Sequence, residues 1–289
     1  MKKEMTSVTI NEIAEKYRLD SNERACFNEY LENKFAGGIV PSDTDMSFID
    51  RWRDIYTYSV IRGVGAALNK YVIPKRTVDF IDESGLRLEI YDSFAGKIPV
   101  VYIKNSEDFE HFITNAAYKG IPPENLSQTG ASFISGKTTR FIVLSAKPYS
   151  NVSASDIGIS SEEWQEKSMI IRREHECTHY FTKQNFGTAR NNLHDELIAD
   201  FFGIYEAFGE YKAELFYRFM GIGGFSGGRL KFYTEDMSEK LFAAVSEAAV
   251  QAAAYLEKYS KTSAFINKSR KERITALCRT SLAQICEMT

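Results

Sequence analysis

Residues 173–203, REHECTHYFTKQNFGTARNNLHDELIADFFG, hold three of the four histidines in the chain, beside Glu176, Asp195, Glu196 and Asp200. His175 and His179 are four residues apart. On an α-helix that spacing turns two side chains by only about 40° around the axis and separates them by about 6 Å along it, so both imidazoles leave one face. The helix itself is signalled by the preceding residues: Ser160-x-x-Glu163 has the form of a capping box, no proline intervenes, and Gly187 supplies the stop. Trp164, Ser168, Ile171, His175 and His179 then share one face. The motif is His-Glu-x-x-His, in which two neutral nitrogens hold a zinc ion and the intervening glutamate, Glu176, takes a proton from the water that the metal acidifies.

Zinc used for hydrolysis takes a third protein ligand and keeps a fourth position open. Glu196 on the next helix can supply that ligand, and Asp200 follows it one turn later on the same face. His194 precedes Glu196 by two residues and points about 160° away, so it reads as a pocket or surface residue, with a ligand role as the alternative. Asp195 reads as a first-turn acid favoured by the helix dipole. A competing reading makes His175 and His179 metal-free core histidines.

His-Glu-x-x-His followed on the next helix by Glu-x-x-x-Asp, here Glu196-Leu197-Ile198-Ala199-Asp200, resembles the gluzincin class of metallopeptidases, the thermolysin-like group and its relatives. The resemblance implies a zincin-like α+β fold, Zn²⁺ bound by His175, His179 and Glu196, Glu176 as general base, and Asp200 as the carboxylate that orients a ligand histidine, His175. It also implies a peptide or protein substrate. Enzymes of that group use a downstream tyrosine and histidine to stabilise the oxyanion; no histidine follows His194 here, so Tyr205, Tyr211, Tyr217, Tyr233 or Arg229 take that place. Substrate backbone in zincins pairs with an edge strand ahead of the metal helix, for which 130–135 and 139–145 are the candidates. The alternative function is a non-catalytic binding or regulatory protein that keeps the scaffold with a structural zinc.

Outward from this centre, the chain divides into an N-terminal helical unit (1–75), a catalytic core with antiparallel strands (76–210) and a helical C-terminal part (211–289). One helix is expected over 47–72, and a β-hairpin over 77–93 around Glu83-Ser84-Gly85. A strand over 97–106, a helix capped by Ser106, two strands around Ser135-Gly136-Lys137, and helices at 192–208, 211–220, 238–259 and 269–287 follow. Ser21 is the expected cap of an early helix, with Gly37-Gly38 as its stop signal. The glycine-rich 221–233 reads as a flexible connector, or alternatively a lid; it lacks the Lys-Ser/Thr of a phosphate loop.

With 289 residues, 44% hydrophobic and 26% charged, the chain can bury a substantial core, and a net charge of −3 without basic clustering argues against nucleic acid. No apolar run suits a signal peptide or a membrane span, and the four cysteines lack Cys-x-x-Cys spacing, so reduced thiols and a cytoplasmic location are expected.

Overall fold

Gly63 has φ +91°, a conformation that a helix interior excludes, and it divides the segment expected as one helix. In the computed structural model, which describes residues 9–35, 47–124, 126–135, 140–187 and 192–288, the two resulting helices are α3 (Ser47–Arg62) and α4 (Val64–Tyr71). They follow α1 (Ile10–Lys16) and α2 (Ser21–Leu31). Asp20, not Ser21, caps α2: its side chain accepts from the Asn22 and Glu23 backbone, and Glu23 returns a bond to the Asp20 N–H. Chain contacts define two compact units, Met1–Pro41 with Thr178–Thr289, and Ser42–Cys177.

The unit of residues 42–177 contains β1 (Leu86–Ser93), β2 (Gly96–Ile103), α5 (Ser106–Ala116), β3 (Ala131–Ile134), β4 (Phe141–Ser145), α6 (Ala154–Ile157) and the first part of α7 (Ser161–Phe186). The hairpin lies one strand later than expected: β1 pairs antiparallel with β2 from Leu86↔Ile103 to Ser93↔Gly96, so Phe94 and Ala95 form the turn. Residues 77–82 do not become a strand because side chains take their backbone groups. Asn69 bonds both polar groups of Val78, and the Asp108 carboxylate accepts from the Ile81 and Asp82 N–H at 2.8 and 3.0 Å. Asn105, rather than Ser106, caps α5.

The sheet order is β1-β2-β4-β3, with β2 and β4 parallel and β3 antiparallel to β4. The two central strands are covered on both faces: Val100, Val101 and Ile103, and Phe141 to Leu144, are all fully buried, as parallel strands require. Trp52 of α3 and Phe112 of α5 pack on Phe141 at 4.9 and 6.3 Å between ring centres. Of the two candidate edge strands, β4 is therefore interior, and β3, half-buried along its length, is the outer one. The turn expected at Gly136-Lys137 lies outside the described residues, as does the glycine stop expected at Gly37-Gly38.

The other unit is helical, adding α8 (Leu193–Phe208), α9 (Ala213–Met220), α10 (Glu239–Tyr259), α11 (Ser263–Ile266), α12 (Arg270–Cys278) and α13 (Leu282–Glu287) to α1 and α2. Leu193 to Ile204 of α8 is buried all round, the mark of a central helix. Phe201 packs on Tyr211 and Phe265 with ring centres 4.6 and 5.5 Å apart. Ser281 caps α13 through the Gln284 N–H and interrupts the helix expected over 269–287. The earliest helices meet the latest: α1 and α2 pack on α10 and α13, and the Ile10 N–H donates to Glu287 at 3.1 Å. All four cysteines are free, and Cys177, Cys278 and Cys286 are buried. Among the described residues no helix is long and apolar enough to cross a membrane.

Candidate metal centre

Helix α7 runs unbroken for 26 residues and carries His175 and His179 one turn apart. Its inward face places Trp164, Ser168 and Ile171 in the core, and that burial fixes where the two imidazoles emerge. Helix α8 begins at Asn192, whose side chain accepts from the His194 and Asp195 N–H at 3.0 and 3.2 Å. The cap sets the first turn, and so presents Asp195 and Glu196 to α7.

Ligand atoms of His175, His179 and Glu196 all lie within 4.8 Å of one another. His179 Nε2 is 3.4 Å from Glu196 Oε1, long for a strong hydrogen bond. It equals the edge of a coordination tetrahedron with bonds of about 2.1 Å, roughly 3.4 Å. Two imidazoles and one carboxylate form a donor set that suits zinc. The three residues fit a metal by donor chemistry and by spacing.

Each histidine is held through its other ring nitrogen. His179 Nδ1 is 3.0 Å from Asp195 Oδ2, a fully buried carboxylate. Burial opposes a charge on the His179 ring, yet Asp195, and after it Glu196, outweigh burial and raise its pKa well above the ordinary value. Negative charge that favours a proton there favours a cation in its place. His175 Nδ1 is 3.0 Å from the Tyr149 hydroxyl. Tyr149 owes its position to Arg172 on α7, which donates to the carbonyls of Ser145, Lys147 and Pro148. The guanidinium occupies the space a side chain at Gly130 would need.

These contacts correct three expectations. Tyr149, not Asp200, is the partner of His175 Nδ1; Asp200, fully buried, is held by Arg229 Nη2 at 2.5 Å. Asp195 is a histidine partner rather than a simple first-turn acid. His194 is neither a ligand in this group nor a surface residue: it is buried against Phe35, 5.2 Å between ring centres, and burial pushes its pKa down to about 4. Glu176 is half-buried beside His175. Of the oxyanion candidates, Tyr211 is buried against Phe201 and Tyr217 donates to the Val250 carbonyl at 2.9 Å, while Tyr205 stacks on Phe201. Arg229 and Tyr233 are the two that reach the site, both at Glu196.

Arg229 and Tyr233 come from the glycine-rich segment. It is a packed turn, not a loose connector: Gly221 and Gly228 approach backbone to backbone, and the Arg229 N–H donates to the Phe219 carbonyl at 3.0 Å.

A family model matches residues 15–140 and 137–289, almost the entire chain. The chain belongs to DUF7005. That family is described as one of unknown function. No curated protein and no solved structure matches this DUF7005 member.

Asp195→Asn keeps the shape of the side chain that meets His179 and removes its charge. For a divalent cation held by the candidate group, we expect the affinity to fall about 10- to 100-fold, the usual result of losing a carboxylate partner of a ligand histidine. Competition with a chromophoric chelator measures it, and an unchanged affinity would refute the role given to Asp195.

Proposed function

We propose that this chain is a zinc-dependent peptidase of gluzincin type, with a zincin-like catalytic core. The observation that carries the reading is the His175, His179 and Glu196 group on two successive helices, with the His-Glu-x-x-His order on the first. When bound, zinc supplies Lewis acidity that polarises a peptide carbonyl and acidifies water.

The chain's own residues do the rest. His175 and His179 present one nitrogen each, with Tyr149 and Asp195 holding their rings in orientation. Glu196 completes the set. Glu176, about 100° round the helix from His175, is the base that accepts the proton of the attacking water and passes it to the leaving amine. The outer strand β3 is where an extended peptide adds its backbone. Four free cysteines suit a reducing compartment, and we place the protein in the cytoplasm.

One observation favours a second reading, a binding protein that keeps zinc as a staple without hydrolysis: Arg229 and Tyr233, the two oxyanion candidates near the site, are both turned to Glu196. Metal analysis and peptide cleavage separate the two. The peptidase is expected to hold about one zinc per chain and cleave an unbiased peptide library, and Glu196→Ala is expected to lose both. Zinc without cleavage selects the staple. A wild-type chain that takes up no zinc on reloading refutes both, and Glu196→Ala that keeps its zinc refutes the third ligand.

A further inference from the structure

Glu196 and Asp200 stand one turn apart on α8, and both are buried. Two buried acids at that spacing demand compensation within the fold. Arg229 meets both, with Nη2 2.5 Å from Asp200 Oδ2 and Nη1 3.4 Å from Glu196 Oε2. The two oxygens of Glu196 are thereby given different neighbours: Oε1 lies 3.4 Å from His179 Nε2, and Oε2 is the one that faces the guanidinium. Tyr233 lies beside the same carboxylate, whose charge adds to burial in raising the pKa of the Tyr233 hydroxyl. Because the bond to Asp200 is the shorter of the two, Asp200 anchors the arginine and the arginine restrains Glu196.

We propose that Arg229 is a positioning residue that confines Glu196 to ligation through Oε1 alone and sets how tightly the centre holds a divalent cation. This rests on the metal-centre reading above. A carboxylate free to turn offers a cation both oxygens, which raises affinity and fills a position that a reacting water needs. A guanidinium on the second oxygen blocks that turn, and its charge lowers the attraction of the ligand for a dication. Apart from the base Glu176, the carboxylates of Asp195, Glu196 and Asp200, less one for Arg229, leave two negative charges, which a divalent ion with two neutral imidazoles balances. In this arrangement Asp200 acts on the metal through the arginine and not through a histidine.

The test compares wild type, Arg229→Gln, Arg229→Lys and Tyr233→Phe, each loaded with Co²⁺ for visible absorption and with Zn²⁺ for chelator competition. Wild type is expected to show the intense visible bands of four-coordinate cobalt. Arg229→Gln is expected to show weaker bands of higher coordination and to bind zinc about tenfold more tightly. Arg229→Lys keeps the charge and is expected to stay within about threefold of wild type. Tyr233→Phe, which keeps the ring, shifts the spectrum the same way by a smaller amount and carries the test if Arg229→Gln does not fold. A wild-type spectrum and affinity in Arg229→Gln or, where that variant does not fold, in Tyr233→Phe would overturn the positioning role alone, as would weaker zinc binding in Arg229→Gln. A wild-type protein that binds neither ion overturns the metal centre itself.

Discussion

Replacing Glu176 with glutamine in the proposed zinc peptidase is expected to leave about one zinc per chain and to lower kcat/KM on a cleavable peptide roughly 10³-fold, within the range that general-base catalysis contributes. The amide keeps the size of the side chain and can still hydrogen-bond water, but it cannot take up the proton. Glu176 is half-buried and stands outside the ligand group, so neither folding nor metal binding should register the change. Zinc content and melting temperature are the controls, and both should match wild type. A Glu176→Gln protein that keeps its zinc and cleaves within tenfold of the wild-type rate would remove the assigned base. Zinc loss in the variant would instead place Glu176 among the ligands.

The second large effect is expected at Gly228. A Cβ there would overlap the backbone nitrogen of Gly221 and the carbonyl carbon of Met220, and neither is the movable end of a side chain. Gly221 is itself fixed at φ +71° as the cap of α9, with its N–H bonded to the Tyr217 carbonyl at 2.8 Å. The strain of Gly228→Ala has to be relieved by separating two backbones, at a cost of about 3 kcal/mol or more. For a chain of this length that lowers the melting temperature by roughly 6 °C or more. Arg229 is the next residue, so the turn that opens also withdraws the guanidinium from Glu196 and Asp200. Gly224 is the comparison: unlike Gly228 it has positive φ, but a Cβ there meets nothing, so alanine should cost only about 1 kcal/mol. Melting curves decide it, and a Gly228→Ala protein within 1 °C of wild type would contradict the close approach.

The helices were legible wherever one local signal sufficed. The face of α7 and the place of Glu196 on the following helix could be read from spacing, because helical periodicity is local. The hairpin was misplaced because alternation over 77–82 resembles a strand, while the side chains that take those backbone groups, Asn69 and Asp108, lie outside the segment, 9 and 27 residues from the groups they bond. Tyr149 was missed for a related reason. It follows Pro148 in an irregular segment whose position depends on Arg172, and no periodicity marks a residue placed by an arginine that binds the carbonyls of Ser145, Lys147 and Pro148 before it. Asp195 was visible but misread, since a first-turn acid has a sufficient local explanation in the helix dipole. Asp200 was given to a histidine because its partner, Arg229, lies beyond α9 in a segment whose glycines suggested slack.

The pairing of the earliest helices with the latest bears on how the chain is made. On the ribosome, α1 and α2 emerge well before α10 and α13, the helices they pack on, and Ile13, Phe27 and Leu31 are buried in the folded chain. Those apolar faces wait, uncovered, until the residue that bonds Ile10 has been added at position 287. The intervening stretch that contains the sheet is a compact unit of its own and can fold meanwhile. Nascent-chain profiling should find holdase chaperones engaged from the emergence of α1 until α13 has been made.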